Sequence, residues 1–311
     1  MSAVAARPAA VPSSALVLLV VSGAIWGGGT TISKFLATTG HSGPGVTFWQ
    51  TAIAATVLLV VALWRRRLPP LNGKAVLYYI VVGIIGIGLP NVNMVYVTGY
   101  IPAANMAVAL TTVPVLTYLL SLATGGESFD RLRAAGIALG LAGAAALVLP
   151  QGSLPSPELV PYATLAFLTP VLYAVGNVWA ERRWPGDADP LSLACGMLYA
   201  AAIGTGIHAL AEGSFHRIWV DASIHDAVLV GFGLASAFAF VCFFVIVKLA
   251  GAVYFSQCAY LVTLFGVAFA ALAFGERPGW WLAVAAALVF GGVTLVNLGA
   301  RRAQARAMAP A

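Results

Sequence analysis

Long runs of apolar residues fill most of this chain, and short groups of charged residues, prolines and glycines separate them. A helix needs about 20 consecutive apolar residues to cross the hydrocarbon core of a bilayer. The runs therefore predict an all-α integral membrane protein with ten transmembrane helices, and the short connections predict one transmembrane domain over 1–311. The ten predicted spans are 14–37, 44–64, 75–97, 101–123, 131–149, 159–180, 190–211, 226–247, 253–274 and 279–299.

Composition agrees with a membrane protein. Hydrophobic residues make up 61% of the 311 residues, charged residues make up 8%, and the mean hydropathy is +0.94. Soluble domains are roughly 45–50% apolar and about 25% charged. The cysteines Cys195, Cys242 and Cys258 all lie inside predicted spans, where a thiol acts as a small hydrophobic group. We expect no disulfide, no metal site and no cofactor.

The chain contains a repeat at an offset of 149 residues. The turn Gly126-Glu127 in the first copy corresponds to Gly275-Glu276 in the second, and Gly143 corresponds to Gly292. The repeats cover 14–149 and 159–299, with five predicted spans each. Because five is odd, the two halves must insert with opposite orientation. Inverted repeats of this kind are typical of secondary transporters, which bind solute near the midplane between the halves.

The basic residues predict the orientation. With the amino terminus in the cytoplasm, 13 of the 16 Lys and Arg residues are cytoplasmic, and only Lys34, Arg217 and Arg277 are outside. The positive-inside rule then places both termini in the cytoplasm of a bacterial-type inner (plasma) membrane. This bias accounts for the net charge of +6. The predicted partners are the bilayer and a small-molecule solute, with no nucleic acid.

Polar and aromatic residues form matching stripes on spans 1 and 6. Trp26 and Thr30 follow Ser22 at helical spacing, and Tyr173 and Asn177 follow Thr169 at the equivalent positions. Polar groups in lipid are costly, so each stripe should face a cavity or a neighbouring helix. Packing through small polar residues is the alternative to a cavity.

Spans 3, 4 and 9 carry further polar residues, and Tyr260 corresponds to Thr111 at the repeat offset. Asn93 is equally consistent with solute contact and with an interhelical hydrogen bond. Prolines that interrupt spans are candidate hinges. The candidate substrate-binding residues are Trp26, Thr30, Asn93, Asn105, Thr111, Tyr173, Asn177, Ser256, Gln257 and Tyr260. The candidate gating or hinge residues are Pro90, Pro114 and Pro170.

Acidic residues are absent from the middle of every predicted span. This argues against proton coupling through a membrane-embedded carboxylate. The sequence has no Walker A motif and no acidic motif that could hold Mg²⁺ against a pyrophosphate. A membrane-embedded enzyme that acts on a lipid or isoprenoid-type substrate is the alternative function, but it lacks candidate catalytic residues. We therefore predict a protein that is not an enzyme.

Three segments resemble the ten-helix permeases of the drug/metabolite transporter superfamily, EamA type. WGGGTTISK (Trp26 to Lys34) is similar to the first-helix pattern of that family. Pro114 with the Gly126-Glu127 turn resembles the signature of the first repeat, and the Gly275-Glu276-Arg277 segment resembles that of the second. Two residues depart from the family pattern: Gln50 stands where Arg is common, and Thr263 replaces a common proline.

The resemblance implies a transporter of small metabolites, often an exporter of amino acids or related compounds. Combined with the stripes, it predicts alternating access around a cavity between spans 1, 3, 4, 6, 8 and 9. An uncharged polar lining suits a neutral or zwitterionic solute better than a phosphorylated one. Spans 5 and 10 are rich in glycine and alanine, so they are expected to be packing or dimer helices in a monomer or homodimer.

Overall fold

The computed structural model describes residues 12–37, 39–98, 100, 106, 109–148, 158, 160–218, 220, 223–274 and 281–308. The described residues form helices and connections without a strand. The helices are α1 (Ser13–Ala37), α2 (Gly43–Trp64), α3 (Gly73–Tyr79), a π-helix (Ile80–Gly88), α4 (Leu89–Thr98), α5 (Val113–Ala123), α6 (Arg131–Val148), α7 (Val160–Ala166), α8 (Leu168–Arg182), α9 (Pro190–Ala211), α10 (Ile224–Ala250), α11 (Ala252–Ser256), α12 (Cys258–Phe274) and α13 (Trp281–Met308).

The prediction of an all-α membrane protein is confirmed. Within the described residues, eight helical stretches are long and apolar enough to cross a bilayer, and the shorter α5 is also apolar. Each of the ten predicted spans contains helix. Residues 101–105 of the fourth span and the Gly275-Glu276 turn lie outside the described residues. The count of ten crossings therefore stays a prediction.

The first helices of the two halves run in opposite directions. α1 and α12 are parallel, because Gly23 lies against Leu261 and Gly27 lies against Phe265. α8 ends where α11 begins, since the Glu181 carboxylate accepts a hydrogen bond of 2.8 Å from the Ala252 backbone N–H. The second-half helix α8 thus runs towards the point from which α11 and α12 depart, and it is antiparallel to α1. This arrangement is the one predicted for inverted repeats.

The bundle has two distinct ends. At one end, which we call the basic end, the Ser192 hydroxyl donates a 2.7 Å hydrogen bond to the Arg67 carbonyl oxygen. Other connections at this end carry Arg182 and Arg183. At the other end, which we call the histidine end, the Ser42 hydroxyl donates a 3.0 Å hydrogen bond to the Ser214 carbonyl oxygen. The histidines there are His41, His208, His216 and His225.

α6 and α13 are in backbone contact through glycines. A Cβ atom on Gly136 would lie 2.7 Å from the Gly292 carbonyl oxygen, and one on Gly292 would lie 2.6 Å from the Gly136 carbonyl oxygen. Small residues permit this approach between membrane helices, where van der Waals packing drives association. The glycines predicted to allow close helix contact therefore join two helices of the same chain.

Among the described residues, four of the helical spans are interrupted. The third span contains the π-helix, and short turns at Thr111-Thr112, Phe167 and Gln257 interrupt the fourth, sixth and ninth. The three candidate hinge prolines follow such interruptions: Pro90 is the second residue of α4, Pro114 the second of α5 and Pro170 the third of α8. A proline is tolerated in the first turn because the backbone N–H that it lacks would have no intrahelical partner there. Pro114 and Pro170 therefore lie at the beginnings of helices that follow a turn, whereas Pro90 lies within the helical stretch Gly73–Val97, directly after the π-helix.

Candidate functional site: a central cavity

A cavity of about 180 Å³ lies in the middle of the bundle. Helices of both halves form its wall: α1, α2, the π-helix, α4 and α5 from the first half, and α8, α10, α11 and α12 from the second. The wall agrees with the predicted spans 1, 3, 4, 6, 8 and 9, and α2 is an additional element. The cavity lies where a secondary transporter with inverted repeats binds its solute.

Uncharged polar side chains lie on several sides of the cavity. None of the described residues that line it is Asp, Glu, Lys, Arg or His. The Tyr173 hydroxyl donates a hydrogen bond to Asn91 Oδ1, which links α8 to α4. Gln50 Nε2 donates a 3.0 Å hydrogen bond to Ser236 Oγ, which links α2 to α10. The polar lining residues are Thr30, Ser33, Thr47, Gln50, Asn91, Tyr173, Asn177 and Ser256.

Aromatic rings form the part of the wall closer to the basic end. The Trp26 ring meets Phe240 edge to face with 5.2 Å between centroids, and it meets Phe255 at 6.0 Å. Phe255 also contacts Phe243 with centroids 4.5 Å apart. Edge-to-face contacts at these distances stabilise aromatic clusters beyond simple burial. Since Phe255 lies four residues from Gly251 at the basic end, this cluster lines the side of the cavity nearer to that end.

The connection between α5 and α6 at the basic end contains a buried ion pair. Arg133 Nη1 lies 2.6 Å from Glu127 Oε2, and the two side chains are only 5% and 9% exposed. Glu127 belongs to the Gly-Glu turn that the sequence analysis found in both repeats. Breaking one partner of a buried ion pair is costly because it leaves an uncompensated charge. By contrast, the cavity extends towards the histidine end, where Val46 and Val95 line it near the ends of their helices.

Five of the ten candidate binding residues line the cavity: Trp26, Thr30, Tyr173, Asn177 and Ser256. Trp26 and Thr30 belong to the stripe on span 1, and Tyr173 and Asn177 occupy the equivalent positions of the stripe on span 6. Spans 1 and 6 therefore present these equivalent positions to one space, as expected from the cavity alternative.

The other five candidates have different surroundings. Asn93 Nδ2 donates hydrogen bonds to the Leu165 carbonyl oxygen and to Thr169 Oγ1, which is the interhelical alternative. Thr111 and Gln257 are buried and do not line the cavity. The Gln257 side chain donates to the Val253 carbonyl oxygen of its own span. Asn105 lies outside the described residues.

Tyr260 is fully buried away from the cavity. Its hydroxyl donates a 2.9 Å hydrogen bond to the Ile137 carbonyl oxygen, and its ring lies against Gly140 of α6. The cavity face of α12 consists instead of Cys258, Ala259 and Val262. Successive residues of a helix are rotated by about 100°, so Tyr260 faces a different neighbour from Ala259. The turn at Gln257 also places Ser256 and Tyr260 in different helices, α11 and α12.

Sequence reasoning did not select Thr47, Gln50 or Asn91 as site residues, although all three line the cavity. A signal for Gln50 was present, because it is a single amide among the apolar residues of the second span. Asn91 adjoins Pro90 in the same polar group as Asn93. Periodicity did not show which of the two asparagines faces the cavity.

Comparison with known proteins adds to the geometry. Residues 13–149 and 160–298 each match the EamA-like transporter family. The chain belongs to this family. The assignment made from the sequence is thus confirmed, and this EamA-like protein is a membrane transporter.

Two individual proteins illustrate the similarity. An uncharacterized transporter of Archaeoglobus fulgidus is 26% identical over 256 residues, which cover 80% of this chain and 86% of that protein. A protein of known crystal structure superimposes with a TM-score of 0.74 at 24% identity, over 94% of this chain and 99% of the other. At that level of identity the crystal structure supports the fold alone.

Proposed function

We propose that this EamA-like transporter is a secondary transporter that moves a small neutral or zwitterionic metabolite, such as an amino acid or a related compound, by alternating access. The central cavity between the two halves is the observation that carries the proposal. We further propose export from the cytoplasm, with the basic end and both termini in the cytoplasm.

The chemistry of the wall supports the solute class. Hydroxyl and amide groups from α1, α2, α4, α8 and α11 can hydrogen-bond to polar groups of a solute, and the Trp26 cluster offers an apolar surface. A phosphorylated solute would require charge-assisted hydrogen bonds from Arg or Lys. The described lining residues include neither. A solute with no net charge therefore fits this wall best.

The difference between the two ends supports alternating access. Contacts of Phe255 with Trp26 and Phe243 join α11 to α1 and α10 on the side of the cavity nearer to the basic end, whereas the cavity extends towards the histidine end. For export, entry of solute from the cytoplasm requires these aromatic contacts to separate while the histidine end closes. Because the halves are inverted copies, equivalent helices can exchange the open and closed arrangements.

Counterflow in proteoliposomes tests the proposal. The purified protein is reconstituted with an unlabelled solute inside, and uptake of the same labelled solute is measured across a panel of amino acids and related metabolites. We expect saturable uptake that internal solute stimulates. Chemical conversion of a solute without flux would instead favour the membrane-embedded enzyme. Exchange confined to phosphorylated or strongly anionic compounds would contradict the proposed solute class.

A further inference from the structure

Three residues that can ligate a metal converge at the histidine end. His41 lies in the connection between α1 and α2, His216 in the connection between α9 and α10, and Asp226 in the first turn of α10. One ligand atom from each side chain lies within 4.8 Å of the other two. The residues are far apart along the chain, so the sequence analysis, which considered only the cysteines as metal ligands, did not find them.

The hydrogen bonds of His41 leave one ring nitrogen available. Thr39 Oγ1 lies 2.7 Å from the Leu36 carbonyl oxygen and donates its single proton to it. The 2.9 Å contact between Thr39 Oγ1 and His41 Nδ1 then requires Nδ1–H as the donor. His41 Nε2 therefore carries a lone pair, and it is buried without a hydrogen-bond partner among the described residues. Metal-ligating histidines usually have their second nitrogen oriented by such a contact.

His216 and Asp226 are already paired. His216 Nε2 lies 2.7 Å from Asp226 Oδ1. The other carboxylate oxygen, Oδ2, accepts hydrogen bonds from the Ser223 backbone N–H and hydroxyl, which fix the orientation of the carboxylate. The His41 and His216 rings are in contact, with centroids 4.5 Å apart. A buried carboxylate and two imidazoles thus converge, with one ligand atom of each within 4.8 Å of the others.

We propose that His41, His216 and Asp226 form a binding site for a divalent transition-metal ion, with Zn²⁺ as the best-fitting ion. Imidazole and carboxylate ligands suit Zn²⁺, and such a site leaves a fourth position for water. In a tetrahedral zinc site with bonds of about 2.0–2.1 Å, the ligand atoms lie about 3.3 Å apart. Binding would replace the hydrogen bond between His216 and Asp226, with its proton released to solvent, and small movements of the side chains would close the arrangement onto an ion.

The site would join the two halves of the transporter. His41 precedes α2 of the first half, whereas His216 and Asp226 belong to the second half, and both α2 and α10 line the cavity. A bound ion would cross-link these helices at the histidine end. Such a cross-link would inhibit transport if the chain works as proposed above. That effect rests on the proposed function, whereas binding of the ion does not.

Zinc binding can be measured directly on the purified full-length protein without a transport assay. The protein carries an affinity tag without histidine and is treated with a chelator before calorimetric titration with Zn²⁺. We expect one ion per chain. His41→Ala and His216→Ala should weaken binding at least 10-fold, and Asp226→Asn should weaken it by roughly 10- to 100-fold. Excess Mg²⁺ should not compete.

His208→Ala is the matched control, because His208 lies at the same end and pairs with Glu212 at 2.9 Å on the exposed surface. This variant should bind Zn²⁺ like the parent. Thermal unfolding provides the second readout: Zn²⁺ should raise the melting temperature of the parent and of His208→Ala but not that of His41→Gln. Parent-like zinc binding by both His41→Ala and His216→Ala would overturn the proposal, as would loss of binding in His208→Ala alone.

Discussion

Tyr173 and Tyr260 show at the residue scale what a sequence pattern can establish about a site. Both tyrosines are candidate binding residues in spans of the second half, and both donate a hydroxyl hydrogen bond to another helix. Only Tyr173 lines the cavity. The spacing of polar residues predicted that each stripe faces other helices. Which stripe faces a cavity depends on how each helix is rotated in the bundle, and periodicity within one helix does not contain that information.

The two tyrosines offer a matched test of the site. Tyr173→Phe and Tyr260→Phe each remove one hydroxyl and preserve the ring. We expect Tyr173→Phe to change the apparent affinity for the transported solute in counterflow, because its hydroxyl is part of the cavity wall. Tyr260→Phe should leave that affinity unchanged and lower stability by about 0.5–1.5 kcal/mol, the net value of a typical hydrogen bond. If Tyr260→Phe changed the apparent affinity more than Tyr173→Phe, the solute site would not be the central cavity.

At the element scale, the apolar runs predicted where the helices lie but not where they are interrupted. The π-helix (Ile80–Gly88) lies where Gly86 meets Gly176 of α8 in backbone contact. The glycines and Pro90 indicated a bend in the third span. The form of that bend depends on a helix that is distant in sequence. The interruption at Gln257 has no proline or glycine beside it, and for that reason the sequence did not indicate it.

The contact between Gly86 and Gly176 predicts a stability effect. A Cβ atom on Gly176 would lie 2.6 Å from Gly86 Cα, and one on Gly86 would lie 2.9 Å from Gly176 Cα. Gly86→Ala and Gly176→Ala should each destabilise the protein by about 1–3 kcal/mol, the usual cost of overpacking. Gly231→Ala is the control, because Gly231 lies within α10 and nothing is within 4 Å of its Cβ position. Thermal unfolding in detergent should give lower melting temperatures for Gly86→Ala and Gly176→Ala than for Gly231→Ala. Equal melting temperatures for all three variants would contradict the contact.

At the scale of the whole molecule, the repeat and the odd number of spans predicted that the halves run in opposite directions. The described helices agree with that prediction. The central cavity follows in outline from the same symmetry. The contribution of α2 does not, because its polar residues Thr47 and Gln50 are few and have no counterpart stripe. The zinc-binding cluster could not be predicted either, since 175 residues separate His41 from His216 and only the folded chain brings them together.

The orientation in the membrane is a further prediction at this scale. Single cysteines are introduced at Leu71 of the basic end and at Glu212 of the histidine end, both of which are exposed. An impermeant maleimide added to intact cells should label Glu212→Cys and not Leu71→Cys. The natural cysteines Cys195, Cys242 and Cys258 are buried and should react little. The opposite labelling pattern would reverse the proposed orientation.

Counterflow with two tryptophan variants tests most directly whether the central cavity is the solute site. Trp26 lines the cavity within the aromatic cluster, whereas Trp64 is 83% exposed at the end of α2. Removing a pocket contact typically reduces specificity about 10- to 200-fold. We predict a loss of this size in the specificity constant for exchange in Trp26→Ala, with parent-like exchange in Trp64→Ala and normal insertion of both proteins. Parent-like exchange in Trp26→Ala would contradict a solute site in this cavity.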